Sequence, residues 1–184
     1  MFRVSIPDDE AGDPKGYVAR VLGGSIVNSA EEFSKTVYRD TALSLREFEA
    51  GRRRIADING CMVCRQFRAG RDAETAFSED GQRPDKLVVD NGPAPDEAFY
   101  EAIADWRNSD LFSDRERLVI EFSERFAEEP KSLATDEEFW ERARRLMSDK
   151  EIVDLSHCVA AWIAGGRIAH VLGLDTVCGP WITN

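Results

Sequence analysis

The stretch Glu49 to Arg68, EAGRRRIADINGCMVCRQFR, decides how the chain folds. Starting at Leu45 and advancing about 100° per residue, Leu45, Phe48, Glu49, Arg52, Ile55 and Ala56 fall within a stripe of roughly 120°. A helix over 44–58 therefore buries that face, and Glu49 and Arg52 with it. Arg54 points to the opposite side and Arg53 to the flank. Asn59-Gly60 ends the helix, because both residues tolerate left-handed backbone angles. Cys61 then opens a second periodic segment over 61–75. A helix, a tight turn and another helix are the unit from which the rest is read.

The same signals recur outward from this unit. Ser29-x-x-Glu32, Ser113-x-x-Glu116, Thr135-x-x-Glu138 and Ser148-x-x-Glu151 have the form of capping boxes, in which a hydroxyl accepts from a free amide and the glutamate reaches back. After Ser113, Leu118, Val119, Phe122 and Phe126 follow at helical spacing until Pro130, whose ring cannot continue the helix. Periodic segments also lie at about 16–24 and 96–107. Leu87-Val88-Val89 is the only strand-like piece, and it sits in a Gly/Pro/Asp-rich loop excursion at about 78–95. The last helix, Glu151 to about Leu172, carries Ile152, Leu155, Val159, Trp162, Ile163, Gly166 and His170 on one stripe, and Gly165 and Gly166 mark a close helix approach or a kink. Three segments, LSLREFEAGRRRIADING, FSDRERLVIEFSERFA and MSDKEIVDLSHCVAAWIAGG, share an acidic opening followed by an apolar stripe. The fold class is all-α, a multi-helix bundle made of related helix pairs.

At 184 residues the chain fits one domain, 1–184, with a flexible tail at about 1–15. The formal charge of −11 is spread along it, and Arg52 to Arg54 is the only short basic run, which argues against nucleic acid. No apolar run approaches the roughly 18 residues of a membrane span, and the acidic opening resembles no signal peptide. The expected setting is the cytosol, with no membrane partner. Four cysteines in that compartment do not read as a disulfide framework, so Cys61-x-x-Cys64 is expected to be redox-active or metal-binding.

At a helix start a cysteine thiolate is favoured by unpaired amides and the positive end of the dipole. The spacing puts Cys61 and Cys64 on one face, where they can form and break a disulfide. Glu49 on the apolar face needs a partner, and Arg52 at i+3 and Arg53 at i+4 are available. An ion pair is the plain reading; proton exchange with the thiols, with a carboxyl pKa raised by burial, is the functional one.

Glu49, eleven residues, then Cys61-x-x-Cys64 within REFEAGRRRIADINGCMVC resembles the carboxymuconolactone decarboxylase family, in its alkylhydroperoxidase D-like branch. The likeness runs on through DWRNSDLFSDRERLVIEFSERF and SDKEIVDLSHCVAAWIAGGRIAHVLGLD, covering most of the chain beyond the tail. The resemblance implies an all-helical fold assembled as trimers or hexamers. It implies a thiol peroxidase in which Cys64 attacks the peroxide, Cys61 resolves the sulfenic acid and Glu49 relays protons. The motif of that family continues Cys-x-x-x-His, and here Arg68 occupies the histidine position. A guanidinium can stabilise a thiolate by charge but passes no proton at neutral pH.

His157 and His170 are the only histidines, and His170, on the apolar stripe, is the auxiliary candidate alongside Arg68 and Arg52. Cys158 and Cys178 read as buried, inert thiols. A zinc site on Cys61 and Cys64 lacks a second ligand pair. Trp106, Trp140, Trp162 and Trp181 fill core or subunit contacts or line an apolar pocket. The leading expectation is a dithiol oxidoreductase that reduces hydroperoxides or disulfides, draws electrons from an external thiol or protein reductant, and needs no bound cofactor. Two others stand beside it: a lyase acting on a small carboxylate held by Arg52 or Arg68, and a non-catalytic oligomeric binding protein.

Overall fold

The computed structural model of the chain describes residues 1–78 and 80–176; Cys178 and Trp181 lie outside the described residues. In chain order the helices are α1 (Pro14–Tyr17), α2 (Ser25–Asp40), α3 (Leu45–Asn59), α4 (Met62–Gln66), α5 (Ala69–Ala76), α6 (Glu97–Ala102), α7 (Asp114–Glu128), α8 (Pro130–Leu133), α9 (Glu137–Leu146) and α10 (Asp149–Val171). Wider or tighter helical turns lie at Val18–Leu22, Val88–Asp90 and Ile103–Asn108. Among the described residues there is no strand, and the architecture is the all-α bundle that the sequence implies.

The helix starts follow local hydrogen bonding. Ser113 and Ser148 cap α7 and α10 through complete boxes with Glu116 and Glu151. Ser44 does the same for α3 with Glu47, a box not singled out above. Two expected caps fall elsewhere. Ser29 lies inside α2, which begins four residues earlier at Ser25, and α9 is capped by Asp136 rather than Thr135, the Asp136 carboxylate accepting from the Phe139 N–H at 3.0 Å. A carboxylate satisfies a free amide more strongly than a hydroxyl, which moves the start by one residue.

The α3 stripe is buried as the spacing requires: Leu45, Phe48, Glu49, Arg52, Ile55 and Ala56 are all at most 3 % exposed. That face packs against α10, and α7 lies along α3 as well. Gly166 makes the α3–α10 approach possible, since a Cβ there would sit 2.5 Å from Asn59 Nδ2, whereas Gly165 faces open space. α10 is long and apolar enough to cross a membrane by length and composition, contrary to the reading that no run approaches a span. Its apolarity has a packing reason: it rests on α2, α3 and α7 and buries Leu155, Cys158, Val159 and Trp162.

Leu87 and Val88, the strand-like piece, enter a short helical turn and plug the core, at 1 % and 0 % exposure. The segment 1–15 lies along the bundle: Arg3 donates its amide to the Leu172 carbonyl at 2.9 Å, and the Asp13 carboxylate caps α1.

The cap of α10 carries a pH signature. Burial of Glu151 works against its charge, but the Ser148 amide and hydroxyl and the Arg115 guanidinium together hold its pKa down to about 2. A depressed carboxylate stabilises the fold above its unfolded value of about 4.3 and loses that contribution as pH falls through its folded value. The Glu151→Gln variant should therefore melt below the native protein at neutral pH, with the gap closing as pH falls from about 5 to about 2, measured by circular dichroism.

Candidate redox site

Gly60 closes α3 in the left-handed conformation, φ 69°, and delivers the chain to Cys61. Cys61 is the residue before α4, and its Sγ accepts the Cys64 N–H at 3.3 Å. Cys61 and Cys64 form a disulfide with their Cα atoms 5.3 Å apart. Cys61 is fully buried, while Cys64 is partly exposed. Both line a cavity of about 340 Å³ between α2, α3, α4 and α10, closed on another side by Gly12 to Gly16. Tyr38, Phe67, Phe77 and Trp162 give it aromatic walls, and Arg52, Asn59 and Asp175 add polar groups.

The expected single helix over 61–75 is two helices, because α4 stops at Gln66 and α5 starts at Ala69 with Phe67 and Arg68 extended between them. The break has a cause in α3. Arg52, 3 % exposed, sends Nη1 to the Cys64 carbonyl at 2.6 Å and Nη2 to the Phe67 carbonyl at 2.7 Å. The Asp72 carboxylate takes the Arg68 amide at 2.8 Å and so starts α5 afresh. The thiols therefore stand on a five-residue helix rather than on the dipole of a long one.

Glu49 has no exposed surface, and both its oxygens are engaged. Oε1 accepts Arg52 Nε at 2.5 Å, while Oε2 accepts Arg52 Nη2 at 3.0 Å and the Tyr100 hydroxyl at 2.6 Å. Of its two offered partners, Arg52 is the one taken; Arg53 pairs with Asp57 at 3.2 Å. Burial pulls the Arg52 pKa down, yet the Glu49 charge and hydrogen bonds leave it above the ordinary arginine value. Burial, with Glu49 next to it, pushes the Tyr100 phenol up, so it stays a donor. Among the described residues, the link from Glu49 to the cysteine turn runs through Arg52.

Arg68 sits apart from the sulfurs' cavity. It grips Glu97 at 2.9 and 3.0 Å and stacks on the Tyr100 ring, 3.9 Å from guanidinium carbon to ring centre. His170, expected on the buried stripe, is half exposed. Its Nδ1 meets Asp175 Oδ2 at 2.9 Å, and the same oxygen accepts the Met62 amide at 3.0 Å. His170 thus touches the start of α4 through Asp175. His157 is remote, bonded to the Val153 carbonyl at 2.8 Å. Cys158 is buried, with its thiol pushed up to about 12 by that burial, which fits an inert core thiol. Among the described residues no group of three or more His, Cys, Asp or Glu side chains is arranged for a metal. Tyr100, Asp175 and Tyr38 escaped the sequence reading. Tyr100 lies 51 residues from Glu49 and Asp175 lies 113 from Met62, and no local pattern signals such contacts.

The arrangement defines an all-helical chain of alkylhydroperoxidase D-like fold carrying a cysteine pair beside a cavity. The particular likeness is to a crystal structure of a protein of unknown function from Agrobacterium tumefaciens, described as a candidate antioxidant defence protein AhpD. The two superpose with a TM-score of 0.59 at 18 % identity, over 94 % of this chain and 96 % of that one. No family model and no curated protein matches the chain.

Because the Glu49–Arg52 pair is buried, removing one partner leaves the other charge uncompensated. Glu49→Gln should cost about 3–5 kcal/mol in urea unfolding. Joining Glu49→Leu with Arg52→Met should cost less than the sum of the two single changes, since neither charge is then stranded.

Proposed function

We propose that this protein is a dithiol oxidoreductase that reduces hydroperoxides or disulfides through Cys64, with Cys61 as the resolving thiol. The observation that carries the reading is the Cys61–Cys64 disulfide in the wall of a 340 Å³ cavity, with Cys64 the more exposed of the two. A reductant approaching that disulfide meets Cys64 first. Its thiolate attacks Cys64 Sγ, the Cys61–Cys64 bond breaks, and Cys61 leaves as a thiolate that the Cys64 amide stabilises. A second reductant thiol then displaces the first and frees Cys64. With a hydroperoxide, the Cys64 thiolate forms an S–O bond as the O–O bond breaks, giving a sulfenic acid and an alcohol. Cys61 attacks the sulfenic sulfur, water leaves, and the disulfide returns.

Glu49 serves this cycle by fixing Arg52, whose two bonds to the Cys64 and Phe67 carbonyls hold the cysteine turn in place. His170, open to solvent and linked through Asp175 to the amide beside Cys61, is the group that exchanges protons near the resolving thiol. Carboxylate capture by Arg52 or Arg68, which a lyase would need, finds both guanidiniums already committed to protein acceptors. A reducing cytosol suits an enzyme whose disulfide must be reopened each turn. The apolar outer face of α10, where Val153, Ile168 and Val171 are exposed, suits assembly of several copies of the chain.

Pre-reduced protein mixed with cumene hydroperoxide or with a small aromatic disulfide should lose two thiols much faster than free cysteine does, and intact mass should report loss of two hydrogens. Cys64→Ser should abolish the fast loss. Cys61→Ser should still react once and stop at the sulfenic acid or mixed disulfide. Native protein reacting with both probes no faster than free cysteine would refute the proposal.

A further inference from the structure

Tyr38, on α2, is 7 % exposed and lines the same cavity as Cys64 and Arg52. Its ring is fixed by aromatic contacts, with centroids 4.8 Å from Phe48, 5.9 Å from Phe67 and 4.4 Å from Phe77. Its hydroxyl makes no hydrogen bond to any described residue, and it is not among the polar atoms sealed from solvent without a partner. A buried tyrosine ordinarily satisfies its O–H within the protein. Here the cavity is what remains to satisfy it. Tyr100, the other tyrosine of the core, shows the contrast: its hydroxyl is spent on Glu49.

The electrostatic setting keeps this phenol a donor. Burial pushes its pKa well above the ordinary tyrosine value, although the Arg52 charge works the other way. Arg52 is also the side chain that grips the Cys64 carbonyl, and Tyr38, Arg52 and Cys64 all line the one cavity. Reduction of a hydroperoxide by a thiolate needs a donor where negative charge develops. As the Cys64 S–O bond forms and the O–O bond breaks, the departing oxygen becomes an alkoxide until solvent protonates it. Both Glu49 oxygens already accept hydrogen bonds, Arg68 is clamped on Glu97 and the Tyr100 ring, and His170 is bonded to Asp175 on the side of the resolving Cys61.

We infer that Tyr38 is a catalytic residue for the reaction at Cys64, its hydroxyl donating a hydrogen bond to the departing oxygen of a hydroperoxide held in the cavity. This rests on the dithiol reading above. The substrate oxygen takes the place of the missing hydrogen-bond partner, and the aromatic walls that fix the tyrosine ring keep the donor in one orientation, so little reorganisation is needed as charge develops.

The test compares native protein, Tyr38→Phe and Cys64→Ser, all pre-reduced, in two reactions: thiol loss with cumene hydroperoxide, and alkylation by iodoacetamide. Iodide leaves without needing a hydrogen bond, so alkylation reports thiol exposure and ionisation alone. Tyr38→Phe keeps the ring and its aromatic contacts, and its far-ultraviolet circular dichroism and melting curve confirm the fold. The expected result is a loss of at least about tenfold in the hydroperoxide rate, of the kind seen when one oxyanion donor is removed, with the alkylation rate within about twofold of native. If both rates fall together, Tyr38 acts on the thiol or on the fold, and the inference is overturned. An unchanged hydroperoxide rate in Tyr38→Phe overturns it as well while leaving the dithiol reading intact. Should native protein react with cumene hydroperoxide no faster than Cys64→Ser, the inference falls because there is no peroxide step at Cys64, and the small aromatic disulfide then decides whether the dithiol reading survives.

Discussion

Two charges with almost no contact with water, the Glu49 carboxylate and the Arg52 guanidinium, hold the centre of this molecule. Burying an ion pair yields little net stability, because the desolvation of both groups offsets their attraction. Its value here is geometric. The guanidinium has five donors in a rigid fork, and once Glu49 has taken one side of it the remaining donors reach the carbonyls of Cys64 and Phe67. Those two contacts stop α4 after five residues and turn the chain into α5. The disulfide and the cavity wall beside it take their positions from that interruption.

The interruption also changes how the sulfurs are tuned. A long helix behind Cys61 would offer a large dipole to any thiolate at its start; a five-residue helix offers mainly its individual amides. One of these, from Cys64, points at Cys61 Sγ, and the next, from Met62, is taken by Asp175. The buried sulfur is thereby given the better thiolate environment and the exposed sulfur the better access. For thiol–disulfide exchange that division is coherent, since attack comes at the open sulfur and charge leaves on the supported one. Arg68 contributes to the frame from outside, clamped on Glu97 and the Tyr100 face, which in turn holds the far side of Glu49.

Much of this was legible in the chain. The α3 stripe predicted the burial of Glu49 and Arg52 residue by residue, because a 3.6-residue period leaves little choice about which side chains face inward. Asn59-Gly60 announced the left-handed stop, and Ser113 and Ser148 announced their helices. What failed were signals with near-equivalent competitors. Ser29-x-x-Glu32 has the form of a cap but lies within a helix already started at Ser25, and Thr135 yields to the neighbouring Asp136. The break at Phe67 was illegible because its cause, the reach of Arg52 across the turn, is tertiary. Tyr38, Tyr100 and the Asp175 contact with the Met62 amide were illegible for the same reason, each involving groups far away in sequence. His170 was misplaced more narrowly: it falls at the rim of the α10 stripe, where a small rotation about the helix axis separates core from solvent.

The cavity draws its walls from two parts of the chain with different duties. Tyr38, Phe67 and Trp162 are also core residues, so changing them disturbs the packing of the bundle. Gly12, Lys15 and Gly16 belong to a segment that precedes α2 across Gly23-Gly24 and adds little to that core. Size and charge on this side of the chamber can drift without touching the residues that make the protein fold. The shape of the cavity and the foldability of the bundle are thus encoded in separable stretches, and the chamber can be remodelled through the first two dozen residues without touching the core.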